Sequence, residues 1–313
     1  MLRDDVLLKE YSNYKIGGPA AYFLEVSSIE ELISGLKEYQ SAGPGLKEKI
    51  FILGKGTNVL ISDEGFDGLV ILNKIGGIEQ FENHVVVGSG CEMPAVVQFA
   101  ADNSLSGLEW AGGLPGTVGG AVRGNAGAFG GETKDSILEI ESIDLKSLEL
   151  RKRNREDCKF GYRMSVWKSP EGEHEMITKV TFKLQNDDKK TIEEKTQLPI
   201  DYRTNRHPLD LPNIGSIFKN IPYDNLPKNL QEQFESIVKQ DPFPVVPVAK
   251  LLVYLELKGK RVRDAQVSEK HPNFIVNLGN AKAADVKSLI SIVKEEVHKA
   301  YGIDLEEEVM MLG

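Results

Sequence analysis

Cysteine is scarce in this chain, and its two cysteines, Cys91 and Cys158, form neither a Cys-x-x-Cys pair nor a metal-binding spacing. Free thiols in a reducing compartment are the ordinary interpretation of such usage. Positive charge is also short, because 38 Lys and Arg residues face 47 Asp and Glu residues and the net charge is -9. A protein that binds nucleic acid broadly needs a basic face, so this balance argues against that class while leaving room for a local basic pocket.

Long apolar runs are missing as well. No stretch approaches the length of a membrane span, and the first residues, Met1–Val6, lack the apolar core of a signal peptide. We therefore expect a cytoplasmic protein that acts on small molecules, neither on nucleic acid nor at a membrane, and we favour a monomer. The 313 residues, 41% of them apolar, are enough for two or three ordinary domains.

Glycine, by contrast, is concentrated in one place, since ten of the thirty glycines lie between Gly107 and Gly131. Glycine costs conformational entropy, so globular chains concentrate it where the backbone needs positive φ or approaches a ligand closely. Apolar neighbours such as Leu108, Trp110 and Val118 argue against a flexible linker. The segment predicts a buried, ligand-facing loop system whose N–H groups suit an anionic group such as a pyrophosphate.

A second, smaller glycine turn, Gly54-x-Gly56-x-Asn58, directly follows the apolar segment Ile50–Leu53. It is not a Rossmann fingerprint, because a third glycine is missing and Val59–Ile61 continues as a strand where a helix is required. It is not a Walker loop either, because no Gly-Lys-Ser/Thr follows. Alone, such a turn is equally well a simple turn. Together with the larger cluster, it fits a long ligand with phosphates in its middle.

Apolar periodicity predicts a mixture of strands and helices. Strands are expected at residues 22–26, 50–53, 59–61, 69–72, 85–87, 176–184 and 274–277, and helices near residues 28–39, 94–103, 248–255 and 283–300. The polar, Lys-rich segment 186–195 and the prolines after it are interpreted as leading to a domain boundary. Alternation between Leu305 and Met311 predicts a terminal strand that folds back on the body.

Seven segments of the chain, in order, resemble the UDP-N-acetylenolpyruvoylglucosamine reductase (UDP-N-acetylmuramate dehydrogenase) family, flavoenzymes of bacterial cell-wall synthesis. They are residues 14–20, 53–68, 107–131, 160–163, 215–220, 265–274 and 305–309. The interval between Arg163 and Ser216 is short and lacks an inserted Tyr-bearing loop, which resembles the family's shorter subtype.

The resemblance implies an α+β fold in which a bipartite FAD-binding module of the vanillyl-alcohol-oxidase type precedes a C-terminal α+β substrate domain. We expect the two FAD-binding subdomains at residues 1–75 and 76–205, the substrate-binding domain at 206–300, and a C-terminal strand returning to the flavin site at 301–313. FAD is the implied cofactor, NADPH the implied co-substrate, and no metal is expected. The implied reaction reduces UDP-N-acetylglucosamine enolpyruvate to UDP-N-acetylmuramate in peptidoglycan precursor synthesis.

The resemblance also assigns roles to residues. Arg163 and Glu308 would lie beside the substrate carboxylate, where a cation or acid stabilises the charge that builds up when hydride reaches C3. Ser216 would then donate a proton to C2. Lys219, Asn220 and His271 are expected substrate contacts. The implied cofactor-binding positions are Gly54, Gly56, Thr57, Asn58, Gly116, Thr117, Gly119, Gly120, Asn125 and Ala126.

Each catalytic assignment has an ordinary alternative: an exposed arginine, a serine in a turn, and a glutamate in a solvated acidic run. The chain also departs from the family pattern, with Arg263-Asp264 where Gly-Gly is usual and apolar Leu252–Leu255 where an Ile-Glu pair is usual. Two other functions stay open. One is a flavin oxidase of the same fold acting on an alcohol or sugar, although no histidine in residues 107–131 is present to tether a flavin. The other is a non-catalytic relative that binds a nucleotide sugar.

Overall fold

The computed structural model describes residues 1–41 and 49–313. Contacts divide the chain into two compact units. Unit 1 comprises Met1–Val6, Ala20–Lys55 and Asp67–Asp201. Unit 2 comprises Leu7–Pro19, Gly56–Phe66 and Tyr202–Gly313. Two short N-terminal segments thus belong with the C-terminal part of the chain.

The helices and strands have the following bounds. The helices are α1 (Ile29–Ser41), α2 (Met93–Asp102), α3 (Val118–Gly124), α4 (Lys189–Arg206), α5 (Lys228–Phe234), α6 (Val248–Tyr254) and α7 (Ala283–Tyr301). The strands of the first half are β1 (Arg3–Leu7), β2 (Pro19–Val26), β3 (Ile50–Leu53), β4 (Val59–Ile61), β5 (Phe66–Asn73), β6 (Ile78–Phe81), β7 (His84–Gly88), β8 (Leu105–Ser106), β9 (Gly127–Ala128), β10 (Gly131–Glu132), β11 (Ile137–Asp144) and β12 (Leu150–Asn154). Those of the second half are β13 (Glu175–Lys183), β14 (Gln185–Asn186), β15 (Ile221–Pro222), β16 (Lys239–Gln240), β17 (Pro244–Val246), β18 (Arg261–Val262), β19 (Ala265–Val267), β20 (Ile275–Asn277) and β21 (Met310–Leu312).

Unit 1 is built on two sheets. Strands in the order β1-β2-β5-β3 form the first, in which β3 and β5 are parallel, and strands in the order β12-β11-β13-β7-β6 form an antiparallel second. Helix α1 packs Leu32, Leu36 and Tyr39 on the first sheet, while α2 and α3 share a core with the second. These apolar faces follow from the sequence, because residues that recur at helical spacing lie on one side of a helix.

Unit 2 gathers its core around the long helix α7 and the small sheet β18-β19-β20. The segment Leu7–Pro19 belongs here because Tyr14 is fully buried and its hydroxyl donates to the Ile275 carbonyl oxygen at 2.9 Å. The Asn277 side-chain amide donates to the Tyr14 carbonyl oxygen at 3.0 Å. Strand β21 pairs in parallel with β4, so the C-terminus joins the segment Gly56–Phe66.

Helix α7 has a distinct device at each end. The two carboxylate oxygens of Asp63 accept hydrogen bonds from the backbone N–H groups of Ala283 and Ala284, at 2.9 and 3.1 Å. A carboxylate at this end satisfies orphan donors and complements the helix dipole. Gly302, at φ 67°, caps the other end by donating to the His298 carbonyl oxygen at 2.7 Å. The helix predicted at 283–300 is confirmed, with Gly302 as its C-terminal cap.

Most other predicted elements are confirmed within two or three residues. A C-terminal strand is present as β21, but it begins only at Met310, and of the residues predicted before it Glu307 forms an isolated bridge with Phe218. Helix α4 is the main difference. Its 18 residues begin inside the segment interpreted as a polar connection, and Pro199 lies within it. Few of its residues are buried, among them Ile192 and Pro199, so the sequence shows no strong helical periodicity there.

A buried ion pair ties three neighbouring strands of unit 1 together. The Glu175 carboxylate on β13 accepts hydrogen bonds from Arg151 Nη1 and Arg153 Nη2, each at 2.7 Å, and from the Ser142 hydroxyl at 2.7 Å. Burial by itself would raise the pKa of Glu175, but the Arg153 guanidinium and the Ser142 hydroxyl outweigh burial and hold that pKa below its ordinary value. The carboxylate is therefore charged at neutral pH.

Among residues 1–41 and 49–313, no helix combines the length and apolarity needed to cross a bilayer.

The departure Arg263-Asp264 forms the turn of the β18–β19 hairpin. Arg263 adopts φ 49°, the left-handed conformation that the usual glycine would take without strain. Asp264 holds the turn by accepting from Arg261 Nη2 at 2.6 Å and from the Asn280 backbone N–H at 3.1 Å. Side-chain hydrogen bonds thus stabilise the turn in this chain.

Candidate functional site

The loop before α3 presents unused backbone donors. Thr117 caps α3, with its hydroxyl accepting from the Gly120 N–H at 3.4 Å. The carbonyl of Gly116 is used, because it accepts from the Met93 N–H at 3.0 Å. Within the described residues, the N–H groups of Gly116 and Thr117 have no acceptor. Two adjacent bare N–H groups suit an anionic oxygen of a ligand.

The three glycines of α3 do not share one explanation. A Cβ on Gly119 would lie 3.2 Å from Ser89, so protein packing itself favours glycine there. A Cβ on Gly120 would meet only the Thr117 hydroxyl at 3.5 Å, an ordinary contact, and a Cβ on Gly124 would meet nothing within 4 Å. Gly120 and Gly124, four residues apart, lie on one helix face. Glycine inside a helix costs about 1 kcal/mol relative to alanine. This bare face fits a surface that something other than protein covers.

Asn125 and Ala126 hold the loop in shape. Asn125 is fully buried in the left-handed conformation, at φ 40°, and its side-chain amide donates to Glu132 Oε1 and to the Gly161 carbonyl oxygen at 3.1 and 2.9 Å. Its side-chain oxygen accepts from the Lys134 N–H at 3.1 Å. The Ala126 N–H donates to the Ala121 carbonyl oxygen at 2.8 Å. The polar groups of Asn125 are therefore engaged by protein partners, which fixes the backbone after α3.

The turn after β3 approaches protein backbone and side chains closely at both glycines. In unit 1, a Cβ on Gly54 would lie 2.6 Å from the Thr117 hydroxyl, so a larger residue would displace that cap. In unit 2, Gly56 adopts φ 64°, and a Cβ there would lie 2.4 Å from the Tyr11 carbonyl oxygen. Of the described residues, none accepts a hydrogen bond from the N–H groups of Gly54, Gly56, Thr57 or Asn58. This turn therefore offers a second run of bare backbone donors.

Arg163 occupies a tight turn of unit 1. Gly161 and Met164 exchange two backbone hydrogen bonds of 3.0 and 3.1 Å, and Arg163 between them adopts φ 53°. A non-glycine residue in this conformation costs roughly 1–2 kcal/mol, and such strain concentrates at functional sites. The half-buried guanidinium donates from Nη2 to the Gly127 carbonyl oxygen at 2.9 Å. The turn thus ties this cation to the end of the glycine-rich segment.

Unit 2 brings Ser216 and Glu308 onto neighbouring segments. The Glu308 N–H donates to the Ile217 carbonyl oxygen at 2.8 Å, directly after Ser216. Ser216 forms an antiparallel bridge with Phe274 on its other side. The half-buried Ser216 hydroxyl has no hydrogen-bond partner among the described residues. Two residues that the sequence separates widely are therefore close neighbours, and one of them carries a hydroxyl that is available to a ligand.

Lys219 and Asn220 follow on the same segment. The Lys219 N–H donates to the Glu306 carbonyl oxygen at 2.9 Å, and its ammonium forms an ion pair with the Glu306 carboxylate. The Asn220 side-chain oxygen accepts from the Val248 N–H at 3.2 Å, which caps the start of α6. Both expected substrate contacts therefore also have partners within unit 2.

His271 lies in an aromatic cluster that the sequence did not predict. Its ring centroid is 5.3 Å from that of His207 and 4.9 Å from that of Phe274, the residue opposite Ser216. Burial lowers the pKa of His271 to about 4 and that of His207 to about 4, so both imidazoles are neutral at pH 7. His271 Nδ1 is buried without a hydrogen-bond partner among the described residues. A neutral imidazole offers one donor and one acceptor to a ligand or to water. His207 directly follows α4 and precedes Pro208, and the sequence around it gives no signal of this cluster.

Comparison with known families first defines the class of protein. Residues 20–147 match the family model described as FAD binding domain. This range contains both glycine-rich segments, the turn at residues 54–58 and the segment at residues 107–131. Residues 207–312 match the model described as UDP-N-acetylenolpyruvoylglucosamine reductase, C-terminal domain. The predicted α+β fold class is confirmed, with an FAD-binding domain followed by the C-terminal domain of this reductase family.

Full-length relatives then identify the family. The chain is 36% identical over 305 residues to UDP-N-acetylenolpyruvoylglucosamine reductase of Pseudothermotoga lettingae, covering 97% of this chain and 95% of that protein. It is 36% identical over 313 residues to the enzyme of the same name from Caldicellulosiruptor saccharolyticus, covering 99% and 91%. The crystal structure of UDP-N-acetylenolpyruvylglucosamine reductase from Thermus caldophilus matches at 32% identity with a TM-score of 0.77, covering 100% of both chains. The chain belongs to the UDP-N-acetylenolpyruvoylglucosamine reductase family.

Proposed function

We propose that this protein reduces UDP-N-acetylglucosamine enolpyruvate to UDP-N-acetylmuramate, with NADPH as the electron donor and FAD as the bound cofactor. The observation that carries the proposal is the match over the whole chain to a solved reductase of that name, at a TM-score of 0.77. Neither of the other two functions has support of this kind. An oxidase would share the FAD-binding module without requiring the reductase C-terminal domain at residues 207–312. A non-catalytic relative would keep that domain, and the titration described below separates it from the reductase.

The chain's own residues fit the cofactor. The bare N–H groups of Gly116 and Thr117, and those of the turn at residues 54–58, suit the pyrophosphate of FAD. The glycine face of Gly120 and Gly124 has no close protein neighbour, which leaves room for a flat group to approach the backbone. Bound FAD would take electrons from NADPH and deliver a hydride to C3 of the enolpyruvyl group. We assign Gly54, Gly56, Thr57, Asn58, Gly116, Thr117, Gly119, Gly120, Asn125 and Ala126 to holding FAD or shaping its loops.

Three residues would act on the substrate. We assign Arg163 to the substrate carboxylate, because a permanently charged planar guanidinium can bind both of its oxygens. We also assign Glu308 to the substrate carboxylate, as the family resemblance implies, and its N–H group binds the Ile217 carbonyl oxygen directly after Ser216. As charge develops at C2 and the carboxylate, the Ser216 hydroxyl would donate its proton to C2, which completes the addition of a hydride and a proton across the double bond. No residue in the described ranges 1–41 and 49–313 forms a hydrogen bond with this hydroxyl, which supports the role. Lys219, Asn220 and His271 would contact the rest of the substrate.

A titration of the purified protein tests the function. We expect a yellow protein that bleaches when NADPH is added without oxygen and recolours when UDP-N-acetylglucosamine enolpyruvate follows. A protein that bleaches only with an alcohol or sugar and recolours with oxygen would be an oxidase. A colourless protein that binds the UDP-sugar without turnover would be a sensor, and either outcome would exclude the reductase.

Replacement of Gly120 by alanine tests the glycine face. The new methyl group fits the protein, since its nearest neighbour lies at 3.5 Å, and alanine is the better helix former. We expect the FAD-free protein to gain about 0.5–1 kcal/mol in the free energy of unfolding, while the affinity for FAD falls at least about tenfold. Urea unfolding and calorimetric titration with FAD measure the two effects. The control Ser288→Ala, at an exposed position of α7, should leave FAD affinity unchanged. Unaltered FAD affinity in Gly120→Ala would remove this helix face from the cofactor site.

A further inference from the structure

The ion pair between Lys219 and Glu306 lies on two segments of unit 2 that also carry the assigned catalytic residues. The segments run antiparallel, with a bridge between Phe218 and Glu307 and a hydrogen bond from the Lys219 N–H to the Glu306 carbonyl oxygen. Lys219 comes three residues after Ser216, and Glu306 comes two residues before Glu308. The ion pair is therefore adjacent to the place where this unit would meet the substrate.

The two partners of this ion pair differ strongly in exposure. The side chain of Lys219 is 19% exposed, whereas that of Glu306 is 72% exposed. The lysine side chain is therefore mostly packed against the protein, whereas the glutamate side chain is mostly exposed to solvent. Among the described residues, Glu306 is the one carboxylate within ion-pair distance of Lys219. If Glu306 rotated into solvent, Lys219 would present an ammonium group with no opposing charge.

We propose that Glu306 competes, within the molecule, with the diphosphate of a nucleotide ligand for the ammonium group of Lys219. An exposed carboxylate gains little from such a pair, because water solvates it well when it leaves. A diphosphate brings more charge and several acceptor oxygens, so it forms stronger charge-assisted hydrogen bonds with the same ammonium. A diphosphate thus displaces Glu306 from Lys219, whereas weaker anions leave the ion pair intact. Glu306 therefore makes the binding at Lys219 selective for polyanionic ligands.

This inference rests on the proposed function for the identity of the ligand, but its test does not require turnover. Inorganic pyrophosphate serves as the probe of diphosphate affinity, measured by calorimetric titration of the FAD-loaded protein. In Glu306→Gln the competing charge is gone while the shape of the side chain is retained. We expect pyrophosphate to bind about two- to fivefold more tightly, the range that corresponds to an exposed ion pair. In the reductase assay, we expect KM for the UDP-sugar to fall by a similar factor and kcat to change less than KM.

Glu307→Gln is the matched control. Glu307 is the next residue in the same acidic run, but its carboxylate pairs with Lys294 at 2.9 Å. This variant removes the same overall charge and should leave pyrophosphate affinity and KM unchanged. An equal gain in both variants would mean that net charge, and not competition for Lys219, controls binding.

Lys219→Met, combined with Glu306→Gln, completes a double-mutant cycle. The Lys219→Met variant should weaken pyrophosphate binding, and adding Glu306→Gln to it should produce no further gain, because the contested ammonium is absent. Weaker pyrophosphate binding or a lower kcat in the single variant Glu306→Gln would overturn the proposal. Glu306 would then serve to hold the segment that positions Glu308. If the wild-type protein had no reductase activity, the proposed function would be refuted, while the pyrophosphate titrations would still decide the role of Glu306.

Discussion

Replacement of Ser216 by alanine is expected to leave reduction of the flavin by NADPH unchanged and to slow its reoxidation by the enolpyruvyl substrate by about 10²–10⁴-fold. The hydroxyl would deliver the proton that C2 requires, and alanine has no proton to give. The backbone around residue 216 should stay in place, because the Ile217 N–H keeps its 2.8 Å hydrogen bond to the Asn273 carbonyl oxygen. The loss should therefore appear in one half-reaction only.

Rapid-mixing absorbance of the two half-reactions, recorded separately, measures this effect. Ser216→Cys retains an ionisable proton at the same position and should recover part of the reoxidation rate. Ser288→Ala changes an exposed residue of α7 that lies far from Ser216 in the sequence, and it should behave as wild type. Reoxidation of Ser216→Ala at the wild-type rate would show that another group protonates C2.

Replacement of Glu175 by glutamine is expected to lower the free energy of unfolding by about 3–5 kcal/mol. The side chain of Glu175 is 1% exposed and that of Arg153 is 10% exposed, so removal of the carboxylate charge leaves a buried guanidinium without its counter-charge. The amide can still accept one hydrogen bond from Ser142, but it cannot balance two arginines. The loss is large because the remaining charge is poorly solvated.

Urea unfolding at neutral pH measures this loss. Glu171→Gln is the matched control, because Glu171 pairs with Lys159 at the surface, where the side chains are 49% and 63% exposed. That variant should change stability by less than about 1 kcal/mol. Equal losses in the two variants would show that burial does not determine the strength of these ion pairs. The pKa of Glu175 is depressed, so its contribution is present above the ordinary glutamate pKa and is lost as the pH falls through the lower native value.

Local patterns predicted those parts of the fold whose cause is local. Helix α7 was predictable because its buried residues recur at helical spacing and a glycine follows it. Strand β3 is a short apolar run followed by a glycine turn, and the apolar run Leu69–Leu72 marks the centre of β5, which is a sufficient signal. Helix α4 was missed because it is polar around most of its circumference and contains Pro199. Which of its residues are buried follows from the surface that the helix contacts, which no local pattern encodes.

The residues of the candidate site also fall into those that the sequence could indicate and those that it could not. Glycine-rich turns indicate backbone N–H groups that are open to a ligand, so Gly54, Gly56 and Gly116 could be chosen from the sequence as candidate cofactor-binding positions. Asn125 lies in the same segment, yet its hydrogen bonds to Glu132 and Gly161 show how much of its side chain serves the loop itself. His207 was not found because nothing in its neighbours along the chain indicates that it packs against His271.

The sequence by itself determined the family, the expected cofactor and the order of most elements, because those depend on motifs whose residues are contiguous. Only the tertiary structure decided which distant residues become partners. It joined Leu7–Pro19 and Gly56–Phe66 to the C-terminal unit, gave α7 its cap from Asp63, and paired Lys219 with Glu306. The physical reason is that such contacts depend on where the packed core brings the backbone together. Neither propensity nor spacing along the chain specifies that position.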